Sequence, residues 1–296
     1  MIIVKLSGGL GNQMFQYAAG RRLAFHRNVP LKLDSTGFAK AMPDETVRHY
    51  VLDVFNLSAD YAHPEEVAEL CRVSTNPIMK AFKTAARTFQ PLNMQTFFKE
   101  RYFHFDPDML LLGNNVYLDG YWQSEKYFLD VQEVIRKDFT VSAPIIGINL
   151  DISRKIMATN SVSIHVRRGD YVTNPIAEQY HGQCSLQYYQ RAVEYVADIT
   201  GDPHLMIFSD DIRWVQGQLQ LKSPMTFVEH NGPELACEDL RLMSLCKHNI
   251  IANSSFSWWG AWLNRNPEKI IVAPEHWFKR QDISTTDLIP SAWHRI

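Results

Sequence analysis

The opening of the chain, up to Asp34, restricts the architecture more than any other stretch. Ile2-Ile3-Val4-Lys5-Leu6 is a short apolar, β-prone run that suits a buried strand. Ser7-Gly8-Gly9-Leu10-Gly11-Asn12-Gln13 reads as a tight loop. A helix follows over 14 to about 27, with Phe15, Ala18, Ala19 and Leu23 on one face. Pro30-Leu31-Lys32-Leu33-Asp34 is a second strand. Strand, loop, helix and strand make a βαβ unit, which implies a parallel sheet covered by helices.

The alternation resumes in the second half. A strand is expected at 161–165 and a helix at about 185–199. Leu205-Met206-Ile207-Phe208 is a strand ending in Ser209-Asp210-Asp211, and Met225-Thr226-Phe227-Val228 is another. A helix at 234–247, the strand Asn249-Ile250-Ile251-Ala252, a turn at 253–257, a helix from Trp258 and a closing strand Ile270-Ile271-Val272-Ala273 complete the series. Between the halves, 60–100 reads as mostly helical, Val116-Tyr117-Leu118 as a strand and 130–139 as a helix. Pro144, Gly147 and Asn149 make 140–160 a link. The expected division is therefore 1–150 and 151–296. There is no internal repeat and no low-complexity tract.

Composition narrows the function classes. With 296 residues, 46% of them hydrophobic, the chain can fill two cores. A formal net charge of −2 supplies no global basic field for nucleic acid. The four cysteines lack C-x-x-C spacing and are expected as free thiols of a reducing compartment rather than a zinc site. Neither a signal peptide nor an apolar run of about 20 residues is present, so a cytoplasmic protein is expected. Most of the seven tryptophans are expected in the core, with some available to stack on sugar.

The strongest chemical signal is His165-Val166-Arg167-Arg168-Gly169-Asp170, at the tip of the strand that opens the second series. In α/β sheets that edge opens on the ligand crevice. Two planar guanidiniums there suit phosphate, with Asp170 able to tie one of them. Gly9 and Gly11, before a helix, can present backbone N–H groups to an anion, and Asn12 and Gln13 add two amides. Ser254, Ser255 and Phe256 join a strand to a helix and can cradle phosphate or cap the helix. Asp210 or Asp211 can read a guanine edge or cap the next helix. Asp106-Pro107-Asp108 resembles the D-x-D of metal-dependent sugar transferases but is better read as a cap followed by proline at the first helical position.

Together these segments resemble the bacterial α-1,2-fucosyltransferases of glycosyltransferase family 11. The matching runs are Gly8-Gly9-Leu10-Gly11-Asn12-Gln13-Met14-Phe15-Gln16, Gly120-Tyr121-Trp122-Gln123-Ser124, His165-Val166-Arg167-Arg168-Gly169-Asp170-Tyr171, Phe208-Ser209-Asp210-Asp211 and Ser254-Ser255-Phe256-Ser257-Trp258-Trp259-Gly260-Ala261-Trp262. The resemblance implies an α/β, GT-B-like fold of two Rossmann-type halves facing a cleft. It implies an N-terminal acceptor-side half and a C-terminal half that binds GDP-β-L-fucose. It also implies inverting transfer to the 2-OH of a terminal β-galactoside, without metal or other cofactor. By position, Arg167 would hold the β-phosphate and Arg168 would support it. His165 and Asp210 or Asp211 would lie near the guanosine, Ser254, Ser255 and Phe256 would wrap the diphosphate, and Asn12 would face fucose and acceptor. Arg167, Asn12 and Asp170 are then the catalytic candidates. His165, Arg168, Asp210, Asp211, Ser254, Ser255, Phe256, Gly9 and Gly11 are the donor-binding ones.

The acceptor stays open between free oligosaccharides and a lipid-linked glycan, the latter bringing peripheral membrane contact. The base is open too: Asp34, Asp119, Glu125 and His26 are candidates, beside a base-independent mechanism with Asn12 positioning the hydroxyl. Two other classes compete. Gly9-x-Gly11 with Asp34 imitates a dinucleotide fingerprint and so an NAD(P)-dependent oxidoreductase. The aromatic content would also suit a non-catalytic glycan- or nucleotide-binding module.

Overall fold

The computed structural model describes residues 1–39, 48–71, 90–169, 182–280 and 282–296. They form two compact units, Met1–Thr140 with Thr286–Leu288, and Val141–Thr285 with Ile289–Ile296.

The first unit holds five parallel strands: β1 (Ile2–Lys5), β2 (Leu31–Asp34), β3 (Asp60–Tyr61), β4 (Phe97–Lys99) and β5 (Val116–Asp119). Their order is β3-β2-β1-β5-β4. The central β1 pairs Ile2 with both Leu31 and Val116. The glycine turn is shorter than expected, because the helix Leu10–Arg27 already begins after Gly9. Gly8 adopts φ +74°, a left-handed conformation that lets four residues, 6–9, reverse the chain. Asn12 and Gln13 therefore stand in the helix's first turn. The helix stops at Asn28, in the left-handed region, whose N–H returns to the carbonyls of Ala24 and Phe25.

That helix lies close on the sheet because Gly20 has no side chain. A Cβ there would collide with Val4 Cγ2 and stand 3.1 Å from Leu31 Cδ1. Gly20→Ala would stabilise an exposed helix by about 1 kcal/mol. Here the overpacking dominates, and a net loss of about 1–2 kcal/mol is expected. A lower urea midpoint with an unchanged m-value checks it.

Of the segment 60–100, expected to be mostly helical, residues 72–89 lie outside the described residues, and the rest is mixed. Its described part contains β3, the helix Pro64–Cys71 and β4. In β4 the aromatic pairing outweighs helical periodicity: Phe97 lies in register with Tyr117, and their rings stack at 5.8 Å with 6° between planes.

The second unit holds six parallel strands: β6 (Ser161–Val166), β7 (His204–Ser209), β8 (Met225–Phe227), β9 (His248–Ile250), β10 (Ile271–Ala273) and β11 (His294–Arg295). Their order is β11-β10-β9-β6-β7-β8. Numbered within the unit this is 6-5-4-1-2-3, the doubly wound Rossmann order, with the reversal between β6 and β9. The edge beyond β10 is taken by β11, so 270–273 does not close the sheet.

The completely buried β6 divides its side chains by the two-residue period. Val162, Ile164 and Val166 pack with Tyr188, Tyr189, Ala192 and Val196 of the helix Leu186–Thr200. Ser161, Ser163 and His165 point to the other face, where the Ser163 hydroxyl accepts from Asn249 Nδ2 at 2.7 Å. The helices Ala236–Leu245 and Ser255–Leu263 cover that face. Trp258, Trp259 and Trp262 are buried. Trp122, Trp277 and Trp293 are buried too, leaving Trp214 as the one partly exposed tryptophan.

The expected link at 140–160 contains the helix Gly147–Ala158, which packs on the helix Ala236–Leu245. Gly147 lies at the helix's start with φ +58°, so the breaker residues mark an entry rather than a linker.

Candidate functional site

In a doubly wound sheet, the loops leaving the two strands at the reversal diverge to opposite faces and open a crevice between them. In the second unit those loops begin at the tips of β6 and β9. The end of β6 brings His165 to one side, with Arg167 and Arg168 directly after it; on the other side stand Asn253 and Ser254, followed by Ser255 and Phe256 at the start of the next helix.

The two arginines are mounted differently. Arg167 Nη1 donates to Asp210 Oδ2 at 2.7 Å, with both side chains about a quarter exposed. The other Asp210 oxygen accepts from the Arg168 backbone N–H at 2.8 Å, so one carboxylate from the tip of β7 holds two consecutive residues. Gly169 makes this possible, since a Cβ there would collide with Asp210 Oδ2. Arg168 lies flat on Trp214, its Cζ 3.6 Å from the ring centroid. It also donates to Asp211 Oδ2 at 3.2 Å and Gln183 Oε1 at 3.2 Å. Asp211 caps the helix Ile212–Gln218, its Oδ1 accepting from Trp214 N–H. Cap, stack and ion pair thus hold one guanidinium plane. Asp170 lies outside the described residues.

His165 is 4% exposed, and its ring lies 5.5 Å from that of Phe256. Burial lowers its pKa to about 4, against the pull of Asp210, so the imidazole is neutral at pH 7. Its Nδ1 is buried with no hydrogen-bond partner among the described residues. Buried ring nitrogens are ordinarily satisfied, which marks this one as suited to a ligand. Ser254 occupies the N-cap of the helix Ser255–Leu263, yet its hydroxyl makes no capping bond. The positive end of that helix therefore faces the crevice without a side-chain cap.

One carboxyl was missed by sequence reasoning. Asp239, in the first turn of the helix Ala236–Leu245, accepts from Asn231 Nδ2 at 2.8 Å. Burial pushes its pKa up to about 7, against that hydrogen bond and helped by Glu238. The helices Ala236–Leu245 and Ser255–Leu263 each follow a strand of the same parallel sheet and so run side by side in one direction. They meet where a Cβ on Gly260 would stand 3.0 Å from Met243 Cβ. One turn earlier on each stand Asp239 and Phe256, the latter against His165. A Glu-Asp pair in a helix's first turn looks in sequence like ordinary dipole complementation, so only the packing identifies it.

The first unit reverses its strand order between β1 and β5, and two of the matching sequence runs meet there. Gln123 Nε2 donates to Asn12 Oδ1 at 2.8 Å. Gln16 Nε2 donates to Ser7 Oγ at 3.0 Å and to the Gly120 carbonyl at 3.1 Å. Gln13 is a brace: it is fully buried, and its amide spans Gly8 O, His49 O and Val51 N–H. Gly9 and Gly11 lie at the N-cap and in the first turn of this helix.

The base candidates separate by environment. Asp34 is buried, accepting from Thr36 N–H, Thr36 Oγ1 and Tyr117 OH at 2.9, 2.6 and 2.7 Å. That also occupies the carboxylate which the dinucleotide reading would give to a ribose. His26 sits in the helix's last turn, 2.9 Å from Asp130, and fourteen residues of helix, roughly 21 Å, separate it from Asn12. Asp119 ends β5 and pairs with Lys5 at 3.1 Å. Glu125 opens a short 3-10 turn. Asp106 caps the 3-10 turn Pro107–Leu111, and Arg101 bridges it to Asp108.

The sequence pattern of the family described as Glycosyl transferase family 11 matches residues 1–296. An α-1,2-colitosyltransferase of Escherichia coli is 37% identical over 306 residues, covering 100% of this chain and 99% of that protein. The O-antigen biosynthesis glycosyltransferase WbnK of Escherichia coli is 34% identical over 286 residues, covering 92% and 93%. Among solved structures, the fucosyltransferase NodZ from Bradyrhizobium superposes with a TM-score of 0.50 at 12% identity, covering 88% of this chain and 90% of that one. At that identity the likeness concerns the fold, which here is α/β and GT-B-like, with two Rossmann-type units.

Proposed function

This chain belongs to glycosyl transferase family 11, and from that premise we propose that it transfers L-fucose from GDP-β-L-fucose to the 2-OH of a terminal β-galactoside, with inversion and without a metal. The observation that carries the reading is the pair of mounted guanidiniums on the central strand tip, beside an uncapped helix N-terminus. Transfer of a sugar also agrees with the names of the relatives.

In this reading the acceptor oxygen attacks the anomeric carbon from the face opposite GDP. The bond from that carbon to the β-phosphate oxygen breaks, and its electron pair leaves with GDP. The hydroxyl proton passes to a base or to water. Arg167 and the N–H groups at the start of the helix Ser255–Leu263 take up the charge growing on the diphosphate. Arg168 supports the phosphate, Ser254, Ser255 and Phe256 wrap it, and Asp210 and Asp211 keep both arginines oriented. Neutral His165 and Asp239 flank the guanine, Asp239 accepting from N1–H and the N2 amino group. Asn12 positions the fucose or the acceptor hydroxyl, with Gly9 and Gly11 giving close backbone approach. An O-antigen glycan, free or lipid-linked, is the acceptor class that the relatives' names suggest.

A second donor has specific support: the relative at 37% identity is named for colitose, which is L-fucose without its 3-hydroxyl. A site that hydrogen-bonds the 3-hydroxyl rejects the deoxy donor by roughly 10⁴-fold, whereas a site that does not contact it barely discriminates.

The deciding experiment measures GDP release from both donors, with lactose and a panel of β-galactosides, in buffer containing EDTA. Acceptor-dependent, EDTA-resistant release that favours GDP-fucose is expected. Release abolished by EDTA would overturn metal independence, and preference for the colitose donor would overturn the fucose assignment. Failure to bind either donor would overturn both.

A further inference from the structure

The turn that follows β5 is held by a carboxylate from the neighbouring strand. Glu100, directly after β4, accepts from the Tyr121 N–H at 2.7 Å and the Trp122 N–H at 2.9 Å, one bond to each oxygen. Gly120 admits this approach, since a Cβ there would collide with Glu100 Cβ and stand 2.9 Å from the Trp122 ring. The clamped segment is unusual. Trp122 has φ +57°, rare for a bulky residue, and its buried indole nitrogen has no hydrogen-bond partner among the described residues. Such conformations persist only where their surroundings over-determine them, and they cluster at functional sites. Two fixed links lead from this segment to the helix Leu10–Arg27, namely Gly120 O with Gln16 and Gln123 Nε2 with Asn12 Oδ1.

Within the transferase reading above, we propose that Glu100 is a positioning residue for the acceptor. It holds Tyr121 and Trp122 so that Gln123 fixes the Asn12 amide, and with it the hydroxyl that attacks the sugar. A bond from Gln123 Nε2 to Asn12 Oδ1 fixes which way the Asn12 amide faces and leaves Asn12 Nδ2 as its donor toward a ligand. The half-exposed Tyr121 side chain, presented by the same clamp, adds a face on which a sugar ring can stack.

Glu100→Gln keeps the volume but replaces one acceptor by an amino group facing an N–H, so half the clamp becomes repulsive. Glu100→Ala removes both acceptors. Gln123→Ala breaks the link downstream while leaving the clamp intact. Each variant would be assayed for transfer from GDP-fucose to the wild type's best β-galactoside, and for GDP affinity by calorimetry. The expected result is a fall in acceptor kcat/KM of at least tenfold for Gln and a hundredfold for Ala, with GDP Kd within twofold of wild type. The Glu100→Gln/Gln123→Ala double variant should be no worse than the poorer single, because both act through Asn12. Transfer within threefold of wild type in both Glu100 variants would overturn the proposal. So would GDP affinity falling in step with activity, or a fully additive double variant. A wild-type chain that binds no donor would instead remove the transferase reading on which the proposal rests.

Discussion

Arg167→Ala should lower kcat by roughly 10³–10⁵-fold, the range seen where an arginine meets charge that develops on a transferring phosphate group. That corresponds to about 4–7 kcal/mol of transition-state stabilisation. The ground-state donor already carries its diphosphate charge, so GDP-fucose affinity should fall far less, by about tenfold. Asp210 makes the effect specific to arginine. It takes one edge of the Arg167 fork at 2.7 Å while accepting from the Arg168 N–H. A planar fork can keep that bond and still turn a second edge to phosphate. An ammonium is a point charge and must divide itself between the two. Arg167→Lys should therefore recover less than tenfold of what alanine loses, even though the net charge is preserved. Single-turnover rates at saturating donor separate the chemical step from binding. A lysine variant with near wild-type turnover would remove Arg167 from the chemical step.

The sequence revealed the strand tips better than it revealed what stands behind them. The β1, β6 and β7 runs are short, apolar and ended by polar or glycine residues, so their periodicity has one reading. His165, Arg167 and Arg168 were legible for the same reason: residues that close a buried strand must emerge at its edge. Brief elements were harder. Three-residue β4 depends on Phe97 stacking with Tyr117, twenty residues away in the chain, and local pattern carries no trace of that partner. The division of labour between neighbours was also hidden. Asn12 and Gln13 are chemically alike, yet only the fold shows that Gln13 is spent on three backbone groups while Asn12 meets Gln123. Asp210 and Asp211 read in the sequence as a guanine contact or a helix cap; in the fold Asp211 is the cap, and both carboxylates are arginine mounts. Asp239 was invisible because burial, which depends on two helices packing, sets its protonation.

That protonation leads to the second large effect. Binding guanine through Asp239 needs the carboxylate, whereas the free protein holds this group at a pKa of about 7. Affinity for GDP-fucose should therefore rise with pH and level off above about 8. Below 7 it should fall towards tenfold per unit, reaching about a hundredfold at pH 5. The donor's phosphodiester groups do not titrate in this range, and His165, near 4, stays neutral through most of it. Asp239→Asn should flatten the profile and weaken binding at pH 8.5 by roughly 10²–10³-fold, because an amide presents one acceptor and turns an N–H₂ group toward the guanine donors. Stability should move the other way. An acid whose folded pKa is raised binds its proton more tightly when folded, so its contribution is present at low pH and is lost as pH rises from about 4 to about 7. Above 7 the folded protein bears the cost of an ionised, half-buried carboxylate. Asparagine removes that cost while keeping an oxygen for Asn231, so the variant should melt at a higher temperature than wild type at pH 8. Tighter folding together with weaker donor binding cannot come from a damaged fold. An unchanged pH profile, or a variant that loses stability and affinity together, would take Asp239 out of the guanine site.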